Sequence, residues 1–156
     1  MYSILKSTAD YEDQYKNILL DCLSNESVYR EDRTGVGCYS VFNKSMEFDV
    51  SNRFPVLTGR KMFPKVFNTE MQWFLNGETN IERFQKAGVK IWDAWADENG
   101  DLGLVYGHQL RNFNSQGIDQ LEKLIWNLCS EPDSRRHVIS LWNPAEQDKM
   151  ALPPCY

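Results

Sequence analysis

A chain of 156 residues is long enough to bury one sizeable core, and 42% hydrophobic with 25% charged residues is the make-up of a soluble globular domain. A net charge of −5 excludes bulk electrostatic binding to nucleic acid or to an anionic membrane, so an anionic ligand must be small and held by a local group of arginines. Four scattered cysteines with no Cys-x-x-Cys pair, two histidines, and an opening stretch (MYSILKSTADYEDQYK) without an unbroken apolar run predict a reduced, cytoplasmic protein. Neither a disulfide framework, a metal site nor an export signal is expected.

No repeat, low-complexity tract or linker interrupts the chain, which reads as a single domain over 1–156. Tyr11, Tyr15, Ile18, Leu19, Cys22 and Leu23 recur at helical spacing and predict a first amphipathic helix. The charged, glycine-bearing stretch from Arg30 to Gly37 predicts a loop. Tyr39 and Val41, then Met46, Phe48 and Val50, alternate as half-buried strands do. A second helix is predicted from about Lys65 to Leu75, and a short third one between a cap at Asn80 and a stop at Gly88. Asp119 with Glu122 forms a capping-box pattern opening a helix whose inner face is Leu121, Leu124, Ile125 and Leu128. Val138 to Trp142 reads as a buried strand, broken by Pro144 and then Pro153-Pro154. Helices and strands mixed without regular alternation predict an α+β or irregular α/β fold.

Several side chains have both a structural and a chemical reading. Cys155 is either an inert small residue or a nucleophile, and the second needs cations nearby to favour its thiolate; Arg33, Arg135 and Arg136 are the candidates. Adjacent arginines are most often a solvated face, but their fork-shaped guanidinium groups also suit a phosphate. Trp92 and Trp95 around Asp93 are either core packing or an aromatic wall for a flat heterocycle that Asp93 orients. Glu70 lies in an apolar helical stretch, where a buried carboxylate needs a polar reason. Tyr106 either packs or offers its hydroxyl to a site, while His108 and His137 read as structural or surface residues.

The order of the motifs says more than any one of them. Asp32 to Gly37, Phe54 to Thr58, Glu70 to Leu75, Gly77 to Asn80, Ile91 to Gly103, Tyr106 to Gln109, Pro132 to Arg136, Trp142 to Pro144 and Leu152 to Cys155 resemble, in sequence and in order, the blocks of the thymidylate synthase family. The resemblance implies a twisted mixed sheet flanked by helices, a homodimer formed through the sheet face, and methylation of dUMP to dTMP by 5,10-methylenetetrahydrofolate without a metal. It implies that Cys155 is the nucleophile, that Glu70 organises proton transfer and that Tyr106 lies near the nucleophile. Arg33, Arg135 and Arg136 match the phosphate clamp, with the paired arginines reaching across the dimer. Trp92, Asp93 and Trp95 match the folate-facing wall, and Arg60 and Lys61 match a basic pair near the folate tail.

Some positions depart from the family pattern. Tyr156 follows the cysteine in place of histidine, Leu110 replaces tryptophan, Leu104 replaces proline, Thr58-Gly59 precedes Arg60-Lys61 in place of two threonines, and Phe63 stands where histidine is frequent. The family continues beyond its nucleophile, so the chain is expected to be an amino-terminal part of the catalytic domain. Two alternatives accompany this reading. One is hydroxymethylation of dUMP or dCMP, with water in place of hydride; the other is a non-catalytic paralogue that binds a nucleotide or a synthase subunit.

Overall fold

The computed structural model describes residues 10–25, 27–32, 35–51 and 54–154. The chain falls into two compact units, Met1–Met62 and Phe63–Tyr156.

In the first unit, helix α1 spans Tyr11–Cys22. Glu12 and Asp13 occupy its first turn, where negative charge complements the helix dipole. Tyr11, Tyr15, Ile18 and Cys22 are half-buried along one side, whereas Leu19 and Leu23 of the predicted face are exposed. Strands β1 (Val28–Arg30) and β2 (Cys38–Ser40) pair antiparallel with Tyr29 opposite Tyr39, whose rings meet edge to face at 5.4 Å. Arg30 therefore ends a strand instead of opening the loop, and its guanidinium lies 4.9 Å from the centre of the Phe42 ring. The predicted strand through Met46, Phe48 and Val50 does not form. Gln14 of α1 takes both backbone groups of Glu47: its amide donates to the carbonyl and accepts from the N–H, each at 2.9 Å. A side chain thus occupies the positions a neighbouring strand would need. Glu12 similarly accepts from the Thr58 N–H, the main reason its carboxyl is held below the usual range.

In the second unit, α2 (Pro64–Leu75) begins with proline at its first turn, where no N–H is required, and α3 runs Glu82–Ala87. The Asn80 side chain accepts from the Glu82 N–H at 2.9 Å, and Gly88 closes α3 at φ 67°, as the sequence predicts. Helix α4 spans Tyr106–Arg111 and α5 spans Gln120–Ser130, with a single 3-10 turn at Gln147–Lys149. Helix α2 packs against α3 and α4, and α4 against α5. The core holds Trp73, Ile81, Phe84, Val89, Trp92, Leu102 and Val105. Trp73 is fully buried, and its indole N–H donates to the Asn80 carbonyl at 2.9 Å, so the largest core side chain leaves no polar atom unpaired.

Two expectations fail in this unit. Helix α5 starts at its capping residue as predicted, with the Asp119 carboxylate accepting from the Glu122 N–H at 2.9 Å. Its predicted inner face is covered only in part, however: Leu121 and Leu124 are half-buried, but Ile125 is 54% and Leu128 48% exposed. Nor does Val138 to Trp142 form a strand; Val138 is 72% exposed, and the Gln120 amide occupies the backbone N–H and carbonyl of Ser140 at 2.9 and 2.7 Å. The mixed α+β class is present. Among the described residues the regular sheet is the β1–β2 pair, supplemented by isolated bridges at Asn80–Asp101, Gly103–Met150 and Phe113–Ile118.

Candidate active site

Three of the side chains selected from the sequence meet in the second unit. Glu70 projects from α2 one turn before Phe74, and its Oε1 accepts the Trp92 indole N–H at 2.9 Å. Trp92 sits in the turn after Lys90, 9% exposed, with its ring 5.9 Å from Trp73 and 6.2 Å from Tyr106. Tyr106 opens α4 and packs on Phe74 of α2 at 4.9 Å. The polar reason for a carboxylate in an apolar helix is therefore the indole of Trp92. Both structural readings also hold in part, because Trp92 is core and Tyr106 packs against it.

Local backbone geometry holds these elements close. A Cβ on Gly107 would lie 2.6 Å from the Glu78 carbonyl, so only glycine lets the start of α4 approach the turn after α2. The turn that follows Trp95 is closed by Asp97, which accepts from the Asn99 and Asp101 N–H groups at 2.9 and 2.8 Å. Those backbone bonds, chiefly from Asp101, hold its carboxyl below the usual range.

The remaining selected residues are placed differently. Asp93 and Trp95 lie on the same turn as Trp92 but face solvent, Trp95 at 44% exposure. Arg135 and Arg136 are exposed, and neither forms an ion pair with a described carboxylate. Arg136 lines a hollow of about 140 Å³ with Phe113, Ile118, Leu124 and Val138. Arg60 and Lys61 are exposed and belong to the first unit. Cys155 and Arg33 lie outside the described residues. Among the described residues no group of three His, Cys, Asp or Glu is arranged to hold a metal, and no helix is long and apolar enough to cross a membrane.

A second polar cluster escaped the sequence reading. Gln109, Asn143 and Glu146 are each at most 3% exposed and hydrogen-bonded to one another. Bonds from Gln109 first, and then from Ser115, hold the Glu146 carboxyl below the usual range; His108 and Lys149 add charge attraction. Gln109 and Asn143 lie in motif blocks noted above. Glu146, in the charged stretch AEQDKM, carries no pattern that separates it from a surface residue. The thymidylate synthase family model matches residues 13–156 of the chain.

Proposed function

The chain belongs to the thymidylate synthase family, and from that premise we propose that it forms the amino-terminal, nucleophile-bearing portion of one catalytic domain that converts dUMP to dTMP. The observation that carries this reading is the Glu70–Trp92–Tyr106 group, because it joins a proton-handling carboxylate, an aromatic wall and a hydroxyl in one place. The enzyme works as a cytoplasmic homodimer.

Arg33, Arg135 and Arg136 hold the nucleotide phosphate, the paired arginines serving the partner protomer. Arg135 also favours the thiolate form of Cys155. That thiolate adds to C6 of the uracil ring, and the ring electrons make C5 nucleophilic. C5 bonds to the one-carbon unit and loses its proton, and the carbon–nitrogen bond to the folate breaks. Hydride from the released tetrahydrofolate then reduces the methylene to methyl as the sulfur–C6 bond breaks and frees the thiolate, leaving dihydrofolate. Methylenetetrahydrofolate, the co-substrate, supplies both the one-carbon unit and the hydride.

Glu70, poised between the Trp92 indole and solvent, moves protons through water. The exposed ring of Trp95 suits a flat heterocycle, with Asp93 beside it to orient the polar edge. Arg60 and Lys61 attract the anionic tail of the folate.

The test is intact-mass detection of a covalent adduct after incubating the protein with 5-fluoro-dUMP and methylenetetrahydrofolate. Fluorine occupies the position from which a proton must leave, so the reaction stalls with both molecules attached. An adduct that disappears in Cys155→Ser is the expected result; a folded protein that forms none overturns the proposal.

A further inference from the structure

The buried cluster of Gln109, Asn143 and Glu146 has no part in the chemistry above, yet its bonds are directed. Glu146 Oε2 accepts from Gln109 Nε2 at 2.9 Å and from Asn143 Nδ2 at 3.1 Å, while Oε1 accepts from Ser115 Oγ at 2.7 Å. Gln109 Nε2 also donates to the Leu104 carbonyl at 2.9 Å. Three donors converge on one side chain, and only an ionised carboxylate accepts from all of them without presenting a proton of its own.

The cluster lies between two pieces of chain that matter for the reaction. One is α4, which begins with Tyr106 and carries Gln109 one turn later. The other runs from Asn143 to Pro154 and leads directly into Cys155. Beyond Glu146 this segment is laced to the approach to α4. The Leu104 N–H donates to the Lys149 carbonyl and the Ala151 N–H to the Leu102 carbonyl, both at 2.9 Å. Met150 and Leu152 then pack on the core, and Pro154 is buried.

Building on the reading of Cys155 as nucleophile, we propose that Glu146 is a positioning residue that fixes the register of the 143–154 segment against α4, and so sets the nucleophile's chain relative to Tyr106. The requirement is for an acceptor, not for volume. Glu146→Gln, nearly the same shape, keeps one acceptor for Gln109 and Asn143 but replaces the other by an amide N–H. Ser115 can then no longer donate and the charge is lost, whereas Glu146→Asp keeps the carboxylate.

Adduct formation with 5-fluoro-dUMP and methylenetetrahydrofolate is timed in wild type, both variants and Ser115→Ala, alongside dUMP affinity, near-ultraviolet circular dichroism, and iodoacetamide labelling of Cys155 relative to the exposed Cys38. Glu146→Gln is expected to slow the adduct at least tenfold with dUMP affinity within threefold, and to raise relative Cys155 labelling at least threefold. Glu146→Asp stays within threefold of wild type on each measure. A folded Glu146→Gln that matches wild type, or an aspartate variant slower than the glutamine one, overturns the proposal. If Glu146→Gln does not fold, Ser115→Ala decides: its loss of one donor is expected to slow the adduct about threefold, and wild-type behaviour overturns the idea. If wild type itself forms no adduct, the catalytic reading fails, while the labelling ratio still judges the register.

Discussion

Trp92 uses its ring and its N–H for different purposes: the ring packs against Trp73 and Tyr106, and the N–H binds Glu70. Trp92→Phe keeps most of the packing but leaves the carboxylate without its donor. A loss of about 1 kcal/mol in urea unfolding is expected. Glu70→Gln retains an acceptor, so stability should stay within about 0.5 kcal/mol of wild type while adduct formation slows. Gly103 is a stricter case. It has φ 75°, and a Cβ there would lie 2.0 Å from the Lys149 carbonyl oxygen, so Gly103→Ala must both strain and displace the pairing of 102–104 with 149–151. A loss above about 2 kcal/mol is expected, measured in the same way. At Glu146 the folded-state pKa lies below the ordinary 4.5. Its contribution to stability is therefore complete above that value and declines as pH falls through it toward the lowered pKa. Thermal unfolding between pH 6 and pH 3 should show a decline that Glu146→Gln flattens.

At the scale of elements, short-range signals hold where the partner is also local. Asp119 caps α5 and its other oxygen pairs with Arg111 at 3.0 Å. Asp119→Ala should cost about 1–2 kcal/mol, and Asp119→Asn less, because asparagine keeps the capping oxygen. Asn80 and Gly88 bound α3 for the same local reasons. The two predicted strands failed for a non-local reason. Alternation of apolar residues says that a segment favours extended backbone, but a strand also needs a neighbour to pair with. At Glu47 and Ser140 that place is taken by the amides of Gln14 and Gln120, lying 33 and 20 residues away in the chain. No period in the sequence announces a glutamine acting as a strand partner.

At the scale of the whole molecule, α5 leaves Ile125 and Leu128 near 50% exposed and Trp126 at 64%, while Leu121 and Leu124 beside them are half-buried. Large exposed apolar groups on one helix favour association. The double variant Ile125→Glu, Leu128→Glu is expected to reduce self-association in sedimentation velocity at high concentration, with the thermal midpoint unchanged. A midpoint lowered by several degrees would mean that these side chains are buried in the working protein. The apolar pattern that predicts an inner face on α5 marks an amphipathic helix correctly; what covers it is not contained in that period.

The sequence by itself determined the family, because nine blocks in order constrain chemistry more tightly than any single contact, and the match over 13–156 agrees. It also determined the helices that have their own caps and stops, and it selected Glu70, Trp92 and Tyr106. Tertiary structure alone decided that these three touch, since they lie on α2, a turn and α4, brought together by packing and by the bare backbone of Gly107. It alone revealed Glu146 as buried, because in sequence a carboxylate looks the same whether water or three protein donors surround it. Local propensity is written in neighbouring residues, while burial and hydrogen-bond partnership depend on residues far along the chain that only folding brings within reach.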